Sequence, residues 1–267
     1  MTLPTFVKGI AFACALTTFN CPSLLANAVS GSFDIGGSSA TITQTSLVFN
    51  CTPGITNAPC PPGSPGNFDV TVATGADFTP YMGEGGYLKN LSEGTTPLNT
   101  PFLLSNWLTF FLGPVVPPDI ALDLRFIDLG IDPQAACTLA PAPGQTCTPI
   151  IPALIGSPND AAGLSSFNLQ NLANGGSSAS FTVEGTARRI STGETSSFRG
   201  TFTAALDVPY QTALAAILAG QPFTHADDAS FVITITPEPN LGIPLLFGSL
   251  LVVSVAGRYR KQQVSKS

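Results

Sequence analysis

The sequence predicts a mostly β protein: an antiparallel β-sandwich-like body with one short helix, followed by a C-terminal transmembrane helix. Three observations support this fold class. Gly and Pro number 26 and 24 among 267 residues, so the chain turns often. Several segments alternate apolar and polar residues with a period of two, as strands with one buried face do. The hydrophobic content of 44% is enough for a sizeable core.

The alternating segments predict strands at NFDVTV, IALDLRF, SASFTVEGTA, SFRGTFTAAL and ASFVITIT, in chain order. In the first, Phe68, Val70 and Val72 are expected to share the buried face. The third and fourth predict a hairpin across the polar turn 191–194. The inward residues expected of the second strand are Ile120, Leu122, Leu124 and Phe126.

Two further segments complete the body, 29–236. The apolar run 102–112 is too short to span a bilayer and predicts a core strand that buries Trp107. The Ala-rich stretch between Pro209 and Gly220 predicts a helix of about ten residues. The region 132–163, rich in Pro, Ala and Gly, predicts a long loop or a boundary between two parts of the body.

The first 28 residues predict a signal peptide. Lys8 precedes the uncharged run 9–16, and small residues, Ala26 and Ala28, stand three and one positions before the expected cut. Signal peptidase is therefore the first expected partner, with cleavage after Ala28.

Cysteine usage also favours export. Removal of the leader leaves four cysteines in two Pro- and Gly-rich loops: Cys51, Cys60, Cys137 and Cys147. Four cysteines allow three connectivities. Local pairing, as expected in an oxidising compartment, contributes roughly 2.7 kcal/mol for each bridge. Zinc is the rival interpretation, but the spacings are long for a zinc site and the chain has one histidine.

The charge distribution argues against nucleic acid as a partner. Between the leader and the C-terminal basic cluster lie five basic residues and all sixteen acidic ones, a net charge of −11. A body this acidic repels phosphate backbones, and it is compatible with weak binding of divalent cations.

No residue pattern in the body predicts catalysis, a cofactor or a metal site. His225 is expected in a solvated loop before a strand, and Arg188 and Arg189 on a solvated face. A pair of carboxylates that hydrolyses glycosides stays an open alternative, although Trp107 lies in an apolar run and offers no platform for a sugar ring. We therefore expect a protein that is not an enzyme.

The tail carries the most specific pattern. Residues 241–257 contain no charge, and a helix over them would reach about 26 Å, at the short end of what spans a bilayer. Arg258, Arg260 and Lys261 follow, which predicts a cytoplasmic end with the short tail 262–267. Before the apolar run, Pro237, Glu238 and Pro239 keep the chain extended.

Residues 237–261 thus resemble the PEP-CTERM sorting signal of Gram-negative-type bacteria. The resemblance implies processing by an exosortase after transient anchoring in the inner membrane, then a place in the periplasm, at the cell surface or in the extracellular matrix. It also implies an association with exopolysaccharide and biofilm. We expect a non-catalytic surface or matrix protein; the alternative is a carbohydrate-binding or adhesin-like β-sandwich, assisted by calcium.

Overall fold

A computed structural model describes residues 28–55, 58–61, 63–111, 119–154 and 163–234. These residues form twelve strands and one α-helix, α1 (Tyr210–Leu218). Short 3₁₀ turns lie at Thr79–Tyr81, Gln134–Thr138 and Pro152–Leu154. The strands are β1 (Gly31–Ile42), β2 (Ser46–Asn50), β3 (Gly66–Thr74), β4 (Gly85–Leu88), β5 (Leu91–Ser92), β6 (Leu104–Phe110), β7 (Ile120–Ile127), β8 (Thr146–Cys147), β9 (Asn168–Asn171), β10 (Ser177–Arg189), β11 (Thr195–Leu206) and β12 (Phe223–Thr234).

Eight of the strands close into an antiparallel barrel, so the predicted sandwich is wrong. Strands β1, β3, β4, β6, β7, β10, β11 and β12 pair in this order, and β12 pairs with β1 to complete the ring. Period-two alternation describes one buried face and is the same in a sandwich and a barrel. Closure depends on the pairing of the first strand with the last, which alternation does not encode.

The barrel is open at one end because its strands differ in length. Strands β1, β10, β11 and β12 have 12 or 13 residues, whereas the other four have 4 to 9. Past the ends of the shorter strands, β1 pairs with β2 and β10 pairs with β9. A bulge at Gly36 and Gly37 divides the two halves of β1. The long strands therefore extend past the ring as an open trough.

Aromatic side chains fill the closed part of the barrel. Phe33 stacks on Phe231 and on Phe78, with ring centroids 4.7 and 4.9 Å apart. Trp107 is fully buried and lies parallel to Phe198, which confirms its predicted place in the core. Rings this large leave no room for a free passage along the barrel axis.

Bulges explain where the predicted strand faces fail. The pairing of β7 with β10 shifts in register between Glu184 and Gly185 of β10. As a result, Ile127 of β7 is buried and Phe126 is only half-buried. In β3, Val72 is 48% exposed although Phe68 and Val70 are buried. A bulge adds one residue to a strand, so the side chains after it point to the opposite face of the sheet although the flanking sequence is unchanged.

The remaining predictions for the body have mixed outcomes. The hairpin of β10 and β11 is confirmed, in register from Ser177 opposite Leu206 to Arg188 opposite Thr195. Helix α1 is also confirmed, between Pro209 and Gly220. His225, expected in a loop, instead lies in β12 opposite Ala40 of β1.

Several predicted segments lie outside the described residues: the leader 1–27, the motif 237–239 and the basic cluster at 258–261. The transmembrane helix predicted at 241–257 lies outside them as well. Within the described part, no helix is long and apolar enough to cross a membrane. Helix α1, with nine residues, rises only about 14 Å.

Candidate functional site

An apolar cleft lies at the open end of the barrel, where α1 covers the trough formed by the long strands. Its cavity volume is about 110 Å³. The strands and loops contribute mainly aliphatic side chains, and α1 contributes Tyr210, Ala213, Leu214 and Ile217. Six representative residues of the other walls are Ile42, Leu47, Leu91, Ile151, Leu169 and Phe181.

The polar groups of the cleft lie mainly on the β1–β2 turn and at and after β5, and Ser165 and Ser166 add two more before β9. They include Thr43, Gln44 and Ser46 on the first segment and Glu93 and Thr96 on the second. Among the described residues that line the cleft, none is Lys, Arg or His, and Glu93 is the one carboxylate. The cleft is therefore built for an apolar molecule and has no cation to pair with a buried anion.

Two amide side chains hold α1 over the cleft. Asn171 Oδ1 accepts the N–H of Tyr210 at 3.0 Å, which satisfies one free donor of the first helical turn. At the other end, Gln44 Nε2 donates to the carbonyls of Ile217 and Leu218, both at 3.1 Å. The helix is thus fixed to β9 at its start and to the β1–β2 turn at its end.

Tyr210 anchors the first turn of α1 more deeply. Its ring is fully buried, and its hydroxyl donates to the carbonyl of Ala136 at 3.1 Å. Burial raises the pKa of the Tyr210 phenol, and the nearby charge of Asp132 raises it further. The phenol therefore stays neutral and keeps donating across the physiological range.

Both predicted local disulfides are present: Cys51 pairs with Cys60, and Cys137 pairs with Cys147. The second lies beside the cleft, because Cys147 is paired with the cleft residue Leu169 in the β8–β9 ladder. The first closes a loop away from the cleft lining. The side chain of Asn67 braces that loop, with its Nδ2 donating to the carbonyls of Thr52 and Ala58 at 2.9 and 2.7 Å.

At the opposite end of the barrel, Arg189 is the centre of an ionic cluster. Its guanidinium pairs with Asp77, Asp119 and Glu194, and its side chain is only 19% exposed. The hydrogen bond that Arg189 donates to Asp77 is the main cause that raises the pKa of Arg189. The cluster links the end of β10 to the segments before β7 and after β3.

The predicted solvated face at Arg188 and Arg189 is therefore wrong. Arg188 also has a partner, since its Nε lies 3.4 Å from Asp123 Oδ2. Desolvation acts to raise the pKa of Asp119, but hydrogen bonds from Ser191 and Arg189 outweigh it, and the net pKa is lowered. Both arginines have structural partners and are not displayed for an anionic sugar.

The imidazole of His225 has one polar contact among the described residues. Its Nδ1 lies 3.0 Å from the carbonyl oxygen of Ala226, and its Nε2 is buried without a hydrogen bond among the described residues. The ring borders a small void next to Phe181 and Phe202. Among the described residues, no three His, Cys, Asp or Glu side chains lie close enough together to hold a metal ion.

Both ends of the described chain leave the barrel far from the cleft. Gly31 pairs with Ile233 at one end of the β1–β12 ladder, and Ile42 pairs with Phe223 at the other, beside the cleft. Eleven residue steps along β1 separate these ends by roughly 35 Å. Ala28, the predicted cleavage position, is the first described residue, and Val29 after it is fully buried. Ala26 lies outside the described residues.

Reasoning from the sequence missed the cleft altogether. The lining residues come from seven separate segments, and each of them has an ordinary strand, loop or helix pattern. A usable signal was the amphipathic helix at 210–218, because a single short helix in an otherwise β chain has to cover an exposed apolar surface. Comparison with models of protein families, with curated proteins and with solved structures gives no match for this chain.

Proposed function

We propose that this chain is an exported, non-catalytic binding protein of the bacterial surface or extracellular matrix. On this proposal the cleft under α1 is its binding site. The observation that carries the proposal is the apolar cleft itself, with its aliphatic lining and its absence of Lys, Arg and His among the described lining residues. Such a cleft suits an apolar ligand, and its described lining has no His or Lys to act as the base beside a nucleophile.

Export is supported by the leader and by the cysteines. Two disulfides are typical of proteins from oxidising compartments. The C-terminal pattern, with Pro237, Glu238 and Pro239 ahead of an apolar run and a basic cluster, supports sorting by an exosortase. Because β12 ends opposite the cleft, a chain retained through its C-terminal segment would present the cleft away from the point of attachment.

Carbohydrate binding, the alternative from the sequence, has less support. Sugar sites commonly use exposed aromatic rings as platforms. Among the described residues, the large apolar side chains that are exposed are aliphatic or Met, such as Ile131 at 89% and Met82 at 59%. An association with exopolysaccharide through another partner remains part of the proposal.

Native mass spectrometry of the protein released by its producing cells tests the binding proposal. We expect an apolar molecule to be retained by the wild type and lost from an Ala213→Leu variant, since Ala213 lines the cleft and is buried. Ala215→Leu is the matched control, because Ala215 lies on the exposed face of the same helix. Equal retention by both variants, or an empty wild-type protein, would contradict the proposal.

Sorting is tested separately by fractionation of a host with and without its exosortase. We expect the released form to disappear without the enzyme and in a Pro237→Ala, Pro239→Ala variant. Gln262→Ala, in the predicted tail, should be released normally. Normal release of the double variant would remove the sorting part of the proposal and leave the binding part standing.

A further inference from the structure

We propose that the cleft binds the unbranched aliphatic chain of a neutral amphiphile, about eight to ten carbons long. This inference rests on the proposed function and adds the chemical class of the ligand. Three properties of the cleft carry it: its volume, the chemistry of its walls and its lack of cationic side chains.

The volume sets the length of the chain. The cavity volume of the cleft is about 110 Å³. One water-sized group needs about 10–15 Å³ of cavity volume, so roughly seven to eleven groups fit. A methylene is close to a water molecule in size. A chain of about ten carbons therefore fills the cleft, and further carbons extend into solvent.

The walls favour an aliphatic chain. Leu, Ile and Ala side chains dominate the lining, and they come from every side, with Leu47 on β2, Leu206 on β11 and Leu214 on α1. Aromatic residues are a minority of the lining. Flexible aliphatic walls pack well against a flexible chain, whereas a planar ring system is better held between facing aromatic rings.

The electrostatics favour an uncharged head group. Glu93 borders the cleft, and none of the described lining residues is cationic. A carboxylate or phosphate head would lie near the Glu93 carboxylate and would find no Lys, Arg or His to pair with among the described lining residues. The hydroxyls of Thr43 and Ser46, which lie 2.7 Å from each other, mark the side of the cleft where an alcohol, ester or amide head can find hydrogen bonds.

Helix α1 covers the bound chain, and its last turn lies beside the proposed head-group side. Its first turn is fixed by Tyr210 and Asn171. Its last turn accepts hydrogen bonds from Gln44 and packs through Ile217 on the core. Gln44 belongs to the same β1–β2 turn as the hydroxyls, so the ligand's polar head and the last turn of the helix lie on the same side of the cleft.

Isothermal titration of the full-length chain with 1-hexanol, 1-octanol, 1-decanol and 1-dodecanol tests the inference. Each buried methylene is expected to lower Kd about fourfold up to about ten carbons, after which Kd should level off. At pH 7, decanoate should bind at least about tenfold more weakly than 1-decanol. No saturable binding, no levelling through 1-dodecanol, or tighter binding of decanoate would each overturn the inference.

Ala213→Leu provides an independent measurement, because leucine adds three carbons to a wall of the cleft. The length at which Kd levels off should shorten by about three carbons, and Ala215→Leu should leave it unchanged. An unchanged length in Ala213→Leu overturns the inference. Failure with every alcohol, together with a molecule retained in the native mass spectra, would reject the chain class and leave the proposed function intact.

Discussion

Removing the two disulfides one at a time should cost similar stability but affect the cleft differently. Their sequence separations are 9 and 10 residues. The chain-entropy relation gives about 2.7 kcal/mol for each loop of this size. For a body of this length, such a loss lowers Tm by about 5–11 °C. Cys147 is fully buried, so truncating it adds a packing loss to the entropic one.

The consequences for the cleft separate the two bridges. Cys137 follows Ala136, whose carbonyl accepts the Tyr210 hydroxyl, and Cys147 is paired with Leu169. Breaking this bridge loosens two walls of the cleft at once. The Cys51–Cys60 loop contributes no residue to the described lining of the cleft.

The assay compares two double variants, Cys137→Ala with Cys147→Ala and Cys51→Ala with Cys60→Ala, by thermal unfolding and by titration with 1-decanol. Both should melt earlier than the wild type. Only the first should lose affinity, by about tenfold or more at a temperature where both variants are folded. Equal loss of affinity in the two variants, or none in the first, would refute the link between the disulfide and the cleft.

Three further predictions follow from individual contacts. Gly200→Ala should destabilise the fold by about 1–3 kcal/mol in denaturant unfolding, because its Cβ would overlap the ring of Phe231, whereas Gly94→Ala, with open space around it, should be nearly neutral. The lowered pKa of Asp119 contributes stability above its unfolded pKa of about 4 and loses it as pH falls through the folded pKa. Acid unfolding of Arg189→Ala should therefore be less steep than that of the wild type below about pH 4; an unchanged slope would contradict this cause. Gln44→Ala removes two hydrogen bonds worth about 1 kcal/mol each, so amide exchange in the last turn of α1 should accelerate by about thirtyfold while β11 in the same sample stays unchanged.

Local patterns predicted those elements whose neighbours are close in sequence. The hairpin of β10 and β11 follows from two alternating segments and a polar turn between them. The two disulfides follow from cysteines separated by about ten residues. Helix α1 follows from Pro209, an Ala-rich stretch and Gly220. In each case the interaction that stabilises the element is encoded within one short segment.

Which face of a strand is buried, and which charged side chains are paired, were harder to predict from the sequence. The inward face of β7 changes after Arg125 because β7 has one extra residue there relative to β10, so the chain pattern alone assigns Phe126 to the wrong face. Apart from Glu194, the acidic partners of Arg188 and Arg189 come from segments 65 to 112 residues away. Two adjacent arginines on a strand therefore gave no local sign that both are paired.

The sequence by itself determined the β composition and the short-range pairings, and it predicts export of the chain to a bacterial surface. It could do so because alternation, cysteine spacing and terminal signals depend on neighbouring residues. Only the tertiary structure decided that β12 closes on β1 and that strands of unequal length leave a cleft under α1. These features depend on residues nearly two hundred positions apart, whose meeting is set by the packing of the whole barrel and not by any one segment.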